Sequence, residues 1–185
     1  MDVPTPPATK PSARVSIPRW LALILAPFVW LVAIPLVHGV VPWAISLLTT
    51  QHGWANDRPS PLNLLGLIPV IAGAVMLMWV FILGYVHVNE IPERVELNWE
   101  PKLFFTRGPY AFTRNPMYVA ELSLWLGWAI LYGSLAVLAG FVVMCIGVSF
   151  VIRREERDLE ARFGAAYLQY KTFAPRWLGK PREGV

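Results

Sequence analysis

Cysteine is nearly missing from this chain, and charge is scarce. The single Cys145 lies inside an apolar run, so no disulfide framework and no Cys/His metal cluster can be built. The three histidines stand at His38, His52 and His87, never at the one-turn spacing that lets two of them hold a metal from one helix face. A metal site is therefore not expected. No Gly-x-Gly-x-x-Gly follows a strand, and there is hardly any strand pattern, which removes the doubly wound nucleotide-binding folds. Charged residues make up only 15% of the 185 positions.

What is present is apolar. Hydrophobic residues reach 56%, nine of the residues are tryptophan, and mean hydropathy is +0.49. A soluble domain of this length does not carry that composition, so the expected class is an all-α integral membrane protein. Spanning a bilayer takes about 20 apolar residues. Four stretches approach this: Trp20 to about Val41, Leu62 to Val86, Met117 to Tyr132, and Leu135 to Ile152. Pro27, Pro35 and Pro42 interrupt the first, which reads as one kinked span with an interfacial extension. The last two are separated only by Gly133-Ser134, a tight turn, so they form a C-terminal helical hairpin, with Gly127, Gly140 and Gly147 expected to ease its packing.

Residues 1–16 are rich in proline and polar residues and read as a disordered arm. The first apolar run is too long for a signal peptide and lacks a small-residue cleavage site, so it is expected to stay as the first span. Residues 17–100 then hold two spans and a loop, 101–178 the hairpin and its flanks, and 179–185 a tail. With four spans and both termini cytoplasmic, fifteen of the sixteen Lys and Arg residues fall inside and only Arg58 falls outside, as the positive-inside rule requires. The net charge of +4 needs no nucleic acid, since basic residues beside spans meet anionic lipid headgroups.

Polar chemistry collects on this inner side. Arg114-Asn115-Pro116 reads as a helix start, Asn115 as N-cap and Pro116 in the first turn, presenting unpaired N–H groups and a positive dipole end suited to an anion. Tyr118 and Glu121 follow on the same face. A capped, snorkelling helix entrance accounts for Arg-Asn-Pro equally well. Glu121 is harder to dismiss, because an ionisable group within a span is costly unless paired or wetted. Past the fourth span, Ile152, Leu159, Phe163, Tyr167 and Tyr170 recur at helical spacing and predict an amphipathic helix at the interface. Glu155 and Glu156 stand where the span reaches water, and Arg153, Arg154 and Arg157 could pair with them on the same helix. The hairpin, however, must bring residues near 115 beside residues near 155. One pocket would then hold a helix N-terminus, aromatic rings, arginines and carboxylates, an inventory suited to a zwitterionic nucleoside.

At this point the chain resembles a known family. "LFFTRGPYAFTRNPMY" followed by "EERDLEARFGAAYLQYKTFAPRW" is similar to the core of the membrane methyltransferases that include isoprenylcysteine carboxyl methyltransferase and the phospholipid N-methyltransferases. The ordered set is Gly-x-Tyr, Arg-His-Pro-x-Tyr, a Glu-Glu pair beyond the hairpin, and Phe-Gly-x-x-Tyr-x-x-Tyr, covering roughly residues 100–177. The resemblance implies S-adenosylmethionine as methyl donor and a lipophilic acceptor reaching the site from the bilayer. Lys102, Leu103, Phe104, Phe105 and Tyr110 would line the adenosine, Asn115, Pro116, Met117 and Tyr118 would wrap the amino acid end, and Glu155 and Glu156 would also bind the cofactor. Arg114, Glu121 and Arg154 are the candidates for acting on the acceptor. Three positions depart from the pattern: Asn115 replaces the usual histidine, Ala120-Glu121 replaces a small and an apolar residue, and Val151 stands where the prenylcysteine enzymes carry an arginine. The sequence carries no signal of oligomeric state.

Overall fold

Residues 15–90, 94–97 and 104–181 are described in the computed structural model of the chain, and helices dominate them. The first span is one unbroken helical run, Arg19–Leu47, of 29 residues. It comprises α1 (Arg19–Phe28), two π-helical segments (Val29–Ala33 and Leu36–Val40) and α2 (Val41–Leu47). The prolines do not cut it. A proline removes an N–H and crowds the carbonyl four residues back, and moving the hydrogen bonds to a five-residue register lets the chain stay helical around that defect.

A short loop with the two-residue strands β2 (Trp54–Ala55) and β3 (Arg58–Pro59) leads to α3 (Pro61–Leu64) and α4 (Leu67–Glu90). Ser60 caps α3 by accepting the Asn63 N–H. Beyond α4, β4 (Arg94–Leu97) pairs antiparallel with β1 (Val15–Pro18), Val15 opposite Leu97 and Pro18 opposite Arg94. The ladder is hard to read from sequence: Val15–Pro18 and Arg94–Leu97 do alternate apolar and polar residues, but each run is only four residues long and two spans lie between them. Residues 1–14 lie outside the described residues. The turn α5 (Pro109–Phe112) precedes the hairpin of α6 (Pro116–Tyr132) and α7 (Leu135–Phe163), and α8 (Ala165–Phe173) follows a break at Gly164.

Among the described residues, three helical runs are long and apolar enough to cross a membrane: Arg19–Leu47, Pro61–Val86 and Leu135–Phe163. With 17 residues, α6 is shorter, about 25 Å. It is also the best covered, with Ala120, Leu122, Leu124, Trp125 and Ala129 buried, whereas Leu31, Ile68, Ile71, Val143 and Phe150 on the other runs are more than half exposed. The bundle is thus apolar outward around a central short helix, an arrangement that water would penalise and hydrocarbon accepts.

Small residues set the spacing around α6. A Cβ on Gly66 would come within 2.4 Å of the Gly127 carbonyl oxygen, and one on Gly73 within 2.7 Å of that of Ala120, so α4 and α6 touch backbone to backbone. Gly127 therefore serves the α4 interface rather than the hairpin. Gly140 does serve the hairpin, lying under the Trp125 ring, while Gly147 faces open space. The turn is as expected: Gly133 adopts the left-handed conformation that ends α6, and Ser134 starts α7 by accepting the Val137 N–H. The loops knit together here. Asn63 donates to the carbonyls of His52 and Ile130, and Trp54 Nε1 donates to that of Leu131.

Candidate functional site

At the other end of the hairpin, the start of α6 meets the far half of α7, as the two-residue turn requires. The helix α7 runs straight on past Ile152 to Phe163, and its aromatic stripe turns onto protein. Phe104 sits in that stripe, edge-on to Phe163 at 4.9 Å and to Tyr167 at 5.4 Å, with Tyr170 completing the cluster. The Tyr170 hydroxyl donates to the Tyr110 carbonyl at 2.8 Å, fixing α5 against α8.

Glu156 is the pin of this end. Only 3% exposed, it accepts from Arg114 Nη2 at 2.9 Å and Nε at 3.1 Å on one oxygen, and from Arg176 Nη2 at 2.6 Å on the other. Arg114 also donates to the carbonyls of Ala174 and Lys171. Four of its five N–H donors are thus engaged. The partners of Glu156 are arginines from distant segments, not Arg153, Arg154 or Arg157 of its own helix. Backbone ties reinforce the pin: Arg114 N–H bonds to the Pro175 carbonyl and Gly179 N–H to that of Phe112. Asn115 and Pro116 occupy the expected helix-start positions, but the Asn115 side chain does not cap. The Thr113 hydroxyl takes the Asn115 N–H, and Asn115 Nδ2 donates instead to the Arg176 carbonyl.

These elements enclose a half-open cavity of about 270 Å³. Phe104, Phe105, Tyr110, Arg114, Asn115, Pro116, Met117, Tyr118, Glu155 and Glu156, all singled out in the sequence, line it. Leu159, Tyr167 and Tyr170 complete the wall. Their helical periodicity was legible, and only their use as a wall was not. Lys102 and Leu103 lie outside the described residues. Arg154 is exposed on α7 and is not among the lining residues, nor is Glu121. Phe105 and Tyr110 pack at 5.6 Å, and the Tyr118 hydroxyl donates to Glu155 Oε1 at 2.8 Å. Burial, with the Glu155 carboxylate nearby, pushes the Tyr110 hydroxyl above its usual range, and burial raises Tyr167 and Tyr170 as well. All three stay neutral hydroxyls at physiological pH. The hydrogen bond to Glu156 holds Arg176 above its ordinary value, as a partner of an ionised carboxylate.

Glu121 lies outside the cavity, one helical turn from Tyr118, and faces the first span. His38 Nε2 is 3.8 Å from its Oε1, and both side chains are nearly buried. Sequence reasoning missed His38. Metal-ligand spacing is silent on a lone histidine, whereas an ionisable residue inside an apolar run is itself a signal. A second, more open depression of about 430 Å³ lies at the opposite end of the bundle, walled mainly by Ala129, Ile130, Leu135 and Leu138.

The hairpin thus builds one pocket from the start of α6 and the far half of α7. The chain belongs to the phospholipid methyltransferase family, whose model matches residues 64–166. The match takes in α4 as well as the hairpin, so the second span is part of the family's core. The chain is also 35% identical over 63 residues to an uncharacterised protein of Haemophilus influenzae, covering all of that protein and 34% of this chain. No solved structure matches it. The chain is thus an all-α integral membrane protein of a methyltransferase family.

Proposed function

We propose that this protein moves the methyl group of S-adenosylmethionine to a lipophilic acceptor embedded in the bilayer, an isoprenylcysteine-like carboxylate or a lipid headgroup amine. The observation that carries the reading is the cavity itself, where three kinds of donor set meet. The rings of Phe105 and Tyr110 suit a purine face, and the Glu155 carboxylate suits ribose hydroxyls or an ammonium. The start of α6, from Asn115 to Tyr118, suits a carboxylate. Lys102 and Leu103 would extend the adenosine wall. Glu156, doubly paired with arginine, would act by holding Arg114 and the 174–176 segment in place, not by touching the ligand.

S-adenosylmethionine bound here would supply a methyl group already activated on a sulfonium. The protein's own residues then have to hold two reactants in line and exclude water, effects worth up to about 7–11 kcal/mol. The pinned wall of Arg114, Glu156 and Arg176 suits that task because paired charges and backbone carbonyls hold it in place. A carboxylate or thiolate acceptor needs no general base, whereas an amine must lose a proton. The distribution of Lys and Arg favours a site on the cytoplasmic face with both termini inside, among membrane lipids and without nucleic acid.

Calorimetry with S-adenosylhomocysteine tests the reading. Wild-type protein should bind it, and the Tyr118→Ala, Glu155→Ala double variant should bind at least tenfold more weakly. Equal binding by the two would overturn the proposal and favour a non-catalytic scaffold that keeps the fold. Labelled donor with a membrane extract then separates a lipid amine, a prenylated carboxylate and a small hydrophobic thiol as acceptors.

A further inference from the structure

The polar cluster centred on Glu121 is not used by the cavity, and it is costly where it sits. On α6, residues 117, 120 and 124 pack toward α4 and the first span, and 118 and 122 toward α7. Glu121 points between these faces at the first span, whose His38 meets it at 3.8 Å. Four residues further along α6, Trp125 Nε1 donates to His38 Nδ1 at 3.2 Å, and Trp128 Nε1 holds the His38 carbonyl at 2.6 Å.

Those bonds settle what His38 can do. An indole N–H only donates, so Nδ1 must offer its lone pair, and the proton of the neutral ring sits on Nε2. Nε2–H therefore faces the Glu121 carboxylate. His38 cannot gain a second proton without breaking the Trp125 bond, so it is a neutral donor and places no positive charge beside an ionised Glu121. The other ionisable groups facing Glu121 are Tyr118, a turn away, and Glu155 of α7, close enough to act on it electrostatically. The α4 side presents apolar Leu77 and Met76. No cation among the described residues is paired with Glu121.

The geometry points to Glu121, oriented by His38 and Trp125, as the site for the cationic end of the acceptor, next to the Tyr118 and Glu155 wall of the cavity. This rests on the methyltransferase reading. A protonated lipid amine would give one N–H proton to the Glu121 carboxylate, and the freed nitrogen lone pair would form the new N–C bond. The C–S bond breaks with its electron pair going to sulfur, leaving a neutral thioether and an N-methylammonium. The acidic proton resides on Glu121 until product leaves. His38 is a positioning residue.

Two measurements test this with full-length protein in phosphatidylcholine nanodiscs. Labelling of Glu121 by dicyclohexylcarbodiimide, followed by mass spectrometry, needs no turnover. Tetradecyltrimethylammonium should slow it about tenfold at ten times its dissociation constant, and tetradecanol should not. Equal protection by both probes, or none by either, overturns the proposal. The second measurement follows labelled S-adenosylmethionine with phosphatidylethanolamine and with decanethiol as acceptors. Glu121→Gln should lower amine methylation about 100-fold while changing thiol methylation and S-adenosylhomocysteine binding less than about threefold. His38→Leu should raise KM for the amine, and His38→Gln, which keeps an acceptor for Trp125 and a donor for Glu121, should restore it. Amine methylation unchanged in Glu121→Gln, no rescue by His38→Gln, or a wild type that binds donor but methylates no amine would each refute the site alone. A wild type that binds no S-adenosylhomocysteine would refute the methyltransferase reading beneath it.

Discussion

Adjacent carboxylates on α7 should fail in opposite ways. Glu156 is buried between two guanidinium groups, one at 8% side-chain exposure on Arg114 and the other at 40% on Arg176. Removing one partner of a buried ion pair costs about 3–5 kcal/mol, because the remaining charge is stranded. In Glu156→Ala, Arg176 can turn into water and Arg114 cannot, which puts the expected cost near the lower bound. About 3 kcal/mol corresponds to roughly a hundredfold rise in the population in which the 112–116 and 174–179 segments part. Hydrogen exchange reads this directly at the Arg114 and Gly179 amides, which bond to the carbonyls of Pro175 and Phe112. Trypsin cleavage after Arg176 should accelerate by the same factor when cleavage is slow relative to reclosing. Glu155→Ala removes only an acceptor for the Tyr118 hydroxyl at an exposed position, about 1 kcal/mol, and should leave those amides protected while weakening S-adenosylhomocysteine binding. If Glu156→Ala leaves exchange unchanged, or Glu155→Ala exposes the same amides, the division between a pin and a ligand-facing group is wrong.

Other consequences follow from particular contacts. Gly127→Val would drive a side chain into Val70 and the Gly66 carbonyl, and should cost at least about 1–3 kcal/mol of stability in detergent melts, whereas Gly147→Ala, facing open space, should be neutral. Asn63→Ala leaves the carbonyls of His52 and Ile130 without their shared donor and should destabilise by about 1–3 kcal/mol in the same melts. Tyr110, Tyr167 and Tyr170 all have folded values raised above the ordinary tyrosine value of about 10. Their contribution to stability is fully present below that pH and is lost as pH climbs through the raised values, so phenolate absorbance and loss of the α8 packing should rise together in alkaline titration.

The spans could be read because each is a run of apolar residues with few charges, and the pocket could be read because Gly133-Ser134 leaves residues 115 and 155 no choice but to meet. Arg114, Asn115, Pro116, Tyr118, Glu155 and Glu156 are accessible by that route, whereas Phe104, Phe105, Tyr110 and Met117 come only with the family resemblance. Other features are not legible. The prolines of the first span were expected to interrupt it, and the π register that absorbs them leaves no mark in composition. Arg176 reaches Glu156 from 20 residues downstream, past a helix break, where no periodicity applies. His38 and Glu121 are 83 positions apart in two apolar runs, and only the packing of the first span on α6 makes them neighbours.

The segment from Ala174 to Gly179 supplies carbonyls to Arg114, Thr113 and Asn115 and a guanidinium to Glu156. A chain cut before residue 174 would keep every helix described above, yet its Glu156 would face a single arginine, and Thr113, Arg114 and Asn115 would lose the carbonyls of Ala174 and Arg176. The apolar spans and the start of α6 that faces the cavity therefore depend on separate parts of the chain, so a truncation that leaves the bundle intact would still loosen the site.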